Sequence, residues 1–70
     1  MKIYSSKDFG EAVRNRRKEL GYTQSQVAAV TGFSVSFISD LERGKQTAEL
    51  EKAIILANMI GVDLTVQNRS

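Results

Sequence analysis

The segment TQSQVAAVTGFSVSFISDLERGK, residues 23–45, spells two short helices around a tight turn. Thr23 precedes an apolar-periodic run and has Gln26 three residues later. That is the spacing of a capping box, in which the two side chains satisfy orphan amides at a helix start. Val27, Ala28 and Val30 supply an inward face, and the small pair Ala28–Ala29 lets another helix approach. Gly32 stands where a helix end needs a left-handed residue, which glycine adopts without a Cβ clash. Ser34 is placed to cap the next helix. Ile38 and Leu41, three apart, face inward together. Gly44 closes this second helix.

Two helices of this size around a three- to four-residue turn containing glycine are what a helix-turn-helix requires. The segment resembles the helix-turn-helix of the phage-repressor and Cro type, the Xre-like family. The likeness is carried by Thr23-Gln24, Val27-Ala28, Gly32-Phe33-Ser34, Ile38-Ser39 and Leu41-Glu42-Arg43-Gly44-Lys45, and extends over residues 8–61. The stretch ISDLERGK, followed by Thr47-Ala48-Glu49-Leu50, also looks like the HipB-type antitoxins that partner HipA-type kinases. The resemblance implies an all-α, lambda-repressor-like bundle of four to five short helices, and the length of the chain makes one domain of residues 1–70. It implies a homodimer that binds double-stranded operator DNA in the major groove. In its HipB-type form it adds a HipA-like toxin kinase as partner.

Size and composition agree. A chain of 70 residues buries only about 60% of its unfolded surface and is marginally stable alone. There is no Cys, hence no disulfide or thiolate–metal staple. Small scaffolds without staples rely on oligomerisation, so a dimer is expected on stability grounds as well. There is no His either, which removes the commonest general base and metal ligand. Without clustered carboxylates or a Gly-rich phosphate loop, no enzyme, cofactor or metal site is expected. So short a chain leaves little room for a small-molecule ligand. Residues 1–6 lack the apolar run of a signal peptide, and no stretch nears the roughly 18 apolar residues of a membrane span. The expected location is cytoplasmic. The formal net charge is +2, which permits nucleic acid as a partner without demanding it.

Outward from the motif, Ser5 and Asp8 mark a helix start. A first helix over 7–20 follows, with Phe9, Val13 and Leu20 as its stripe, Ala12 beside them and Gly21 at its end. Its second half carries Arg14, Arg16, Arg17 and Lys18, where cations favour the helix dipole. Arg17 lies close to the inward stripe and needs a partner if covered. The resemblance supplies Glu42, just before the closing glycine, in a salt bridge bracing the first helix against the recognition helix.

A last helix starts near 47–48, runs to 59 and stops before Gly61. It carries two apolar stripes, Leu50–Ile54–Ala57 and Ile55–Leu56–Met59–Ile60, where a small core needs one. The surplus points to a partner surface. Over 62–67, Val62, Leu64 and Val66 alternate with polar residues, the period of a half-buried strand. Such a strand has three possible fates: pairing with its twin across a two-fold axis, pairing with the arm at Ile3–Tyr4, or loose packing on the last helix. The HipB-type resemblance favours the first, making Ile55, Met59, Ile60, Val62, Leu64 and Val66 the expected dimer interface.

In a helix-turn-helix the recognition helix presents its N-terminal residues to the bases. Here those positions are Phe33, Ser34, Val35, Ser36, Ser39 and Asp40, with Phe37 assigned to packing. The set lacks the Arg, Lys, Asn or Gln that make bidentate base contacts. The serines discriminate weakly, Val35 suits a thymine methyl, and Asp40 suits cytosine N4 but repels phosphate. Gln24 matches the family's phosphate-contacting Gln, and Arg43 and Lys45 match positions that approach the far side of the groove. Ser25 is a secondary candidate. The rival reading is a protein-interaction module that keeps the fold without binding DNA.

Overall fold

The structure is a computed structural model that describes residues 1–69, so Ser70 of the polar end lies outside the described residues. Its helices are α1 (Ser6–Glu19), α2 (Gln24–Thr31), α3 (Val35–Glu42) and α4 (Leu50–Met59). Local chemistry accounts for the first three starts. Ser5 Oγ accepts the Asp8 amide at 3.1 Å, and Ser34 Oγ accepts the Phe37 amide at 3.0 Å. At α2 the box is reciprocal: Thr23 Oγ1 accepts the Gln26 amide at 3.1 Å, and Gln26 Oε1 accepts the Thr23 amide at 2.8 Å. Gly32 ends α2 in the left-handed conformation, with φ +81°. The helix α4 begins at Leu50, later than expected. Residues 46 and 47 form a turn, the Ala48 amide reaches the Lys45 carbonyl, and Glu49 makes no side-chain cap.

The core gathers Val13, Val27, Ile38, Leu41, Ala53, Leu56 and Ile60 from all four helices. Phe9, Ala28, Phe33, Phe37, Ala48 and Val62 pack at its border. The helix α3 packs against both α1 and α2. Its approach to α1 depends on Gly10, which is buried: a Cβ there would collide with the backbone carbonyl oxygens of Leu41 and Glu42.

Three expectations change. Val30 is 71% exposed and Leu20 lies at the surface, so neither belongs to an inward stripe. On an eight-residue helix, Val27 alone reaches the core, and Thr31 turns its hydroxyl back to the Val27 carbonyl. On α4 the buried face is Ala53, Leu56, Ala57 and Ile60, which splits both predicted stripes. Ile60 is therefore a core residue, 6% exposed, rather than part of an outward interface. Finally, among the described residues there is no strand over 62–67. The Val62 amide closes α4 onto the Ala57 carbonyl, and the described chain beyond it forms no ladder. The alternation is real, but ladder bonds must come from a neighbouring strand. The arm does not supply them. Residues 1–4 and the tail line one groove of about 500 Å³.

Candidate nucleic-acid interface

The geometry of α3 follows from its two faces. Ile38 and Leu41 point into the core, so the opposite side turns outward. Ser34, Val35 and Ser36 are exposed there, and Ser39 and Asp40 are half-buried. Phe33 is withdrawn from this set. It packs on Phe37 with ring centroids 5.0 Å apart, and both rings border the core.

The far end of α3 is closed by a Schellman motif. The Gly44 amide bonds the Leu41 carbonyl at 3.0 Å, and the Lys45 amide bonds the Asp40 carbonyl at 3.0 Å. Gly44 has φ +85°, and its Cα faces the backbone of Lys7 with no room for a Cβ. The motif turns Lys45 back over the helix, and its Nζ sits 3.5 Å from Asp40 Oδ2. The other carboxylate oxygen of Asp40 accepts from the Arg43 guanidinium. Both cations expected to meet phosphate thus share one carboxylate.

Beneath α3 lies a buried polar cluster. Arg17 grips Glu42 in two parallel bonds, Nε to Oε2 at 2.7 Å and Nη2 to Oε1 at 2.9 Å. Its third nitrogen donates to the Tyr22 carbonyl at 2.8 Å. Gln24 Nε2 donates to Glu42 Oε1 at 3.1 Å. The Glu42 side chain is only 3% exposed. Burial alone would push its carboxyl up. The hydrogen bonds from Arg17 and Gln24, with the charges of Arg17 and Arg14, outweigh that and hold it below the usual carboxylate value. The bond to Glu42, opposed by burial, keeps the Arg17 guanidinium above its ordinary value. One cluster therefore ties the end of α1, the turn after it, the start of α2 and the end of α3.

Sequence reasoning missed three of these roles. Gln24, expected to contact phosphate, also has its amide engaged with Glu42. Arg16 is expected only among the cations that favour the dipole of the first helix. Instead its Nε donates to the Ile60 carbonyl at 2.9 Å, capping α4 from α1. Gly10 drew no comment, although a glycine inside a helical pattern signals close packing.

The other expected interface residues lie on α4 and the tail. Ile55 and Met59 are 41% and 49% exposed, Leu64 is 43% and Val66 95% exposed, while Val62 is half-buried on the core. Leu50 and Ile54 line a second, mainly apolar groove of about 300 Å³ with Ile3, Phe9 and Leu64. Among the described residues, no group of three or more Asp or Glu side chains is placed to hold a metal ion. No helix there is long and apolar enough to cross a membrane.

Two capped helices joined through a left-handed glycine, the second braced from below and open above, define a helix-turn-helix domain. The chain belongs to the helix-turn-helix family of transcriptional regulators, the Xre-like class its motif resembles; the family model matches residues 13–67. It is 35% identical over 65 residues to the uncharacterised HTH-type transcriptional regulator y4mF of Sinorhizobium fredii, covering 93% of this chain and 86% of that one. It is 30% identical over 64 residues to the ImmF control region 10 kDa protein of Bacillus phage phi105, covering 91% of this chain and 71% of that protein. HipB in its complex with an O4 20mer superposes with a TM-score of 0.88, over 100% of this chain and 99% of that chain, at 24% identity. HipB in a HipA–HipB–O2–O3 complex matches with the same TM-score of 0.88. At that identity the likeness to HipB is one of fold.

Proposed function

We propose that the chain is a sequence-specific DNA-binding repressor that acts as a homodimer on a palindromic operator, with α3 in the major groove. The observation that carries this reading is the outward N-terminal end of α3, with Ser34, Val35 and Ser36 exposed above a helix fixed from beneath. Recognition helices meet base edges with that end. Val35 meets a thymine methyl, and the serine hydroxyls bond to more than one base edge. Direct discrimination is therefore modest, and DNA shape and half-site spacing supply the rest.

Gln24, Arg43 and Lys45 contact the backbone, and Ser39 supports them. The Gln24 amide carries two donor hydrogens. One bonds Glu42, which leaves the other to donate to a phosphate at the start of α2, where backbone amides also favour an anion. The apolar side chains of Ile55, Met59, Leu64 and Val66, exposed on so small a domain, form the homodimer contact together with Val62.

The shared fold with HipB, solved with HipA in one complex, supports a narrower version. In it the chain is the antitoxin of a HipA-type kinase and represses the operon encoding both. Co-purification with the product of an adjacent kinase-like gene tests this, and a chain that ignores that product refutes it.

The test of the main reading is binding to the chain's own promoter at two salt concentrations, with stoichiometry. Two chains per palindrome, bound tightly and in a salt-sensitive way, is the expected result. A second reading, a protein-interaction module without DNA binding, draws on the internal partners of Gln24, Arg43 and Lys45. It predicts no promoter binding even at low salt.

A further inference from the structure

We propose that Asp40 is an internal competitor for the DNA backbone. It holds Arg43 and Lys45 in the free protein and gives them up where docking brings phosphates to both, and so suppresses binding to random DNA. The inference rests on the DNA-binding reading above.

The juxtaposition is imposed by the backbone. Arg43 is three residues beyond Asp40 on the last turn of α3, so the two side chains share a face. Lys45 is returned to Asp40 by the Schellman motif, which bonds its amide to the Asp40 carbonyl. Each oxygen of the carboxylate faces a different cation. The next acidic side chain in the sequence beyond Glu42, Glu49, borders the same small hollow but pairs with Lys52 at 3.5 Å. The cluster of three therefore carries two positive charges and one negative.

A carboxylate offers cations what a phosphate offers, a negative charge on oxygens at hydrogen-bonding distance. The pairs are partly exposed, with side-chain exposures of 71% for Arg43, 51% for Lys45 and 32% for Asp40. Exposed pairs are individually weak, so the competition is graded rather than a block. On random DNA a phosphate must displace the carboxylate and then face its freed charge. At a matched site the seating of α3 brings both phosphates to the cations together and offers Asp40 a base-edge donor such as cytosine N4. Asp40 thereby widens the ratio between specific and random binding while lowering affinity for both.

The test is a double-mutant cycle of Asp40→Asn and Lys45→Ala on random-sequence duplex and on the chain's own promoter, with folding checked by circular dichroism. Asp40→Asn raises affinity for the random duplex about tenfold, raises it less for the promoter, and steepens the salt dependence by about one ion. Lys45→Ala costs several-fold more in the Asp40→Asn background than in the unmodified chain. Additive effects would reduce Asp40 to a nearby like charge and overturn the inference, as would weaker random binding by folded Asp40→Asn. If the unmodified chain binds no DNA at low salt, the DNA-binding reading fails and takes this inference with it. Promoter binding with additive variants sinks the inference alone.

Discussion

At the scale of single residues, the pair Arg17–Glu42 matters most, because each side chain is nearly buried and the other is its charge partner. Arg17→Met leaves a buried carboxylate without its cation, a loss of about 3–5 kcal/mol. For a domain of this size that lowers the melting temperature by at least about 12 °C, and an unchanged melting temperature would show that the pair braces nothing. The pH dependence has a definite sign. Folding lowers the Glu42 pKa, so the folded chain binds fewer protons than the unfolded one. The stabilisation is complete above the ordinary glutamate value and is lost as pH falls through the lower folded value. In Arg17→Met the hydrogen bond and charge of Arg17, which help to lower that pKa against burial, are gone, so the loss of stability on the acid side shrinks. Urea unfolding at several pH values checks both slopes. The partner of Arg17 was named from the motif's resemblance, since nothing in local spacing joins residues 25 apart. The third member, Gln24, was not foreseen. A side chain on the first turn of a helix looks equally suited to phosphate until the neighbouring helix end is in place.

At the scale of elements, the starts of α1, α2 and α3 could be read in advance because their signals lie within four residues of sequence. Thr23→Ala removes one half of the α2 box and is expected to cost about 1 kcal/mol, measurable by thermal melting. What escaped depends on packing between elements. Val30 and Leu20 fit an apolar period yet lie outside the core, because the eight-residue α2 buries only Val27 and Leu20 falls past the end of α1 as its cap. Gly10 shows the reverse, a residue without a hydrophobic signal that sets the distance between α1 and α3. Replacing an exposed helical glycine by alanine normally stabilises by up to about 1 kcal/mol. At Gly10 the added methyl meets backbone rather than a movable side chain, so Gly10→Ala lowers the melting temperature instead. It also shifts α3, and promoter affinity falls beyond what the stability loss explains. A melting temperature equal to or above that of the unmodified chain would contradict the close packing.

At the scale of the whole molecule, the alternating tail and the outward side of α4 are the apolar parts that lie outside the core. The period-two pattern of 62–67 is visible in sequence, but a ladder requires a second strand, and none is present among the described residues. The second apolar side of α4 was visible too, although its residues were sorted incorrectly because Ile60 turned inward. Met59→Lys puts a charge on that outward side without touching the core. It is expected to shift the chain towards monomer in sedimentation and to weaken promoter binding about tenfold or more, while leaving the melting temperature of the monomer nearly unchanged. A dimer unaffected by Met59→Lys would place the contact elsewhere. If two copies of α3 read one operator, a salt titration of binding to the chain's own promoter reports both the stoichiometry and the phosphate contacts. Two chains per site are expected, with an affinity that falls by about a thousandfold or more between 50 and 200 mM salt, as counterions return to the phosphates. Binding that is absent at the lower salt, or insensitive to it, would contradict that arrangement.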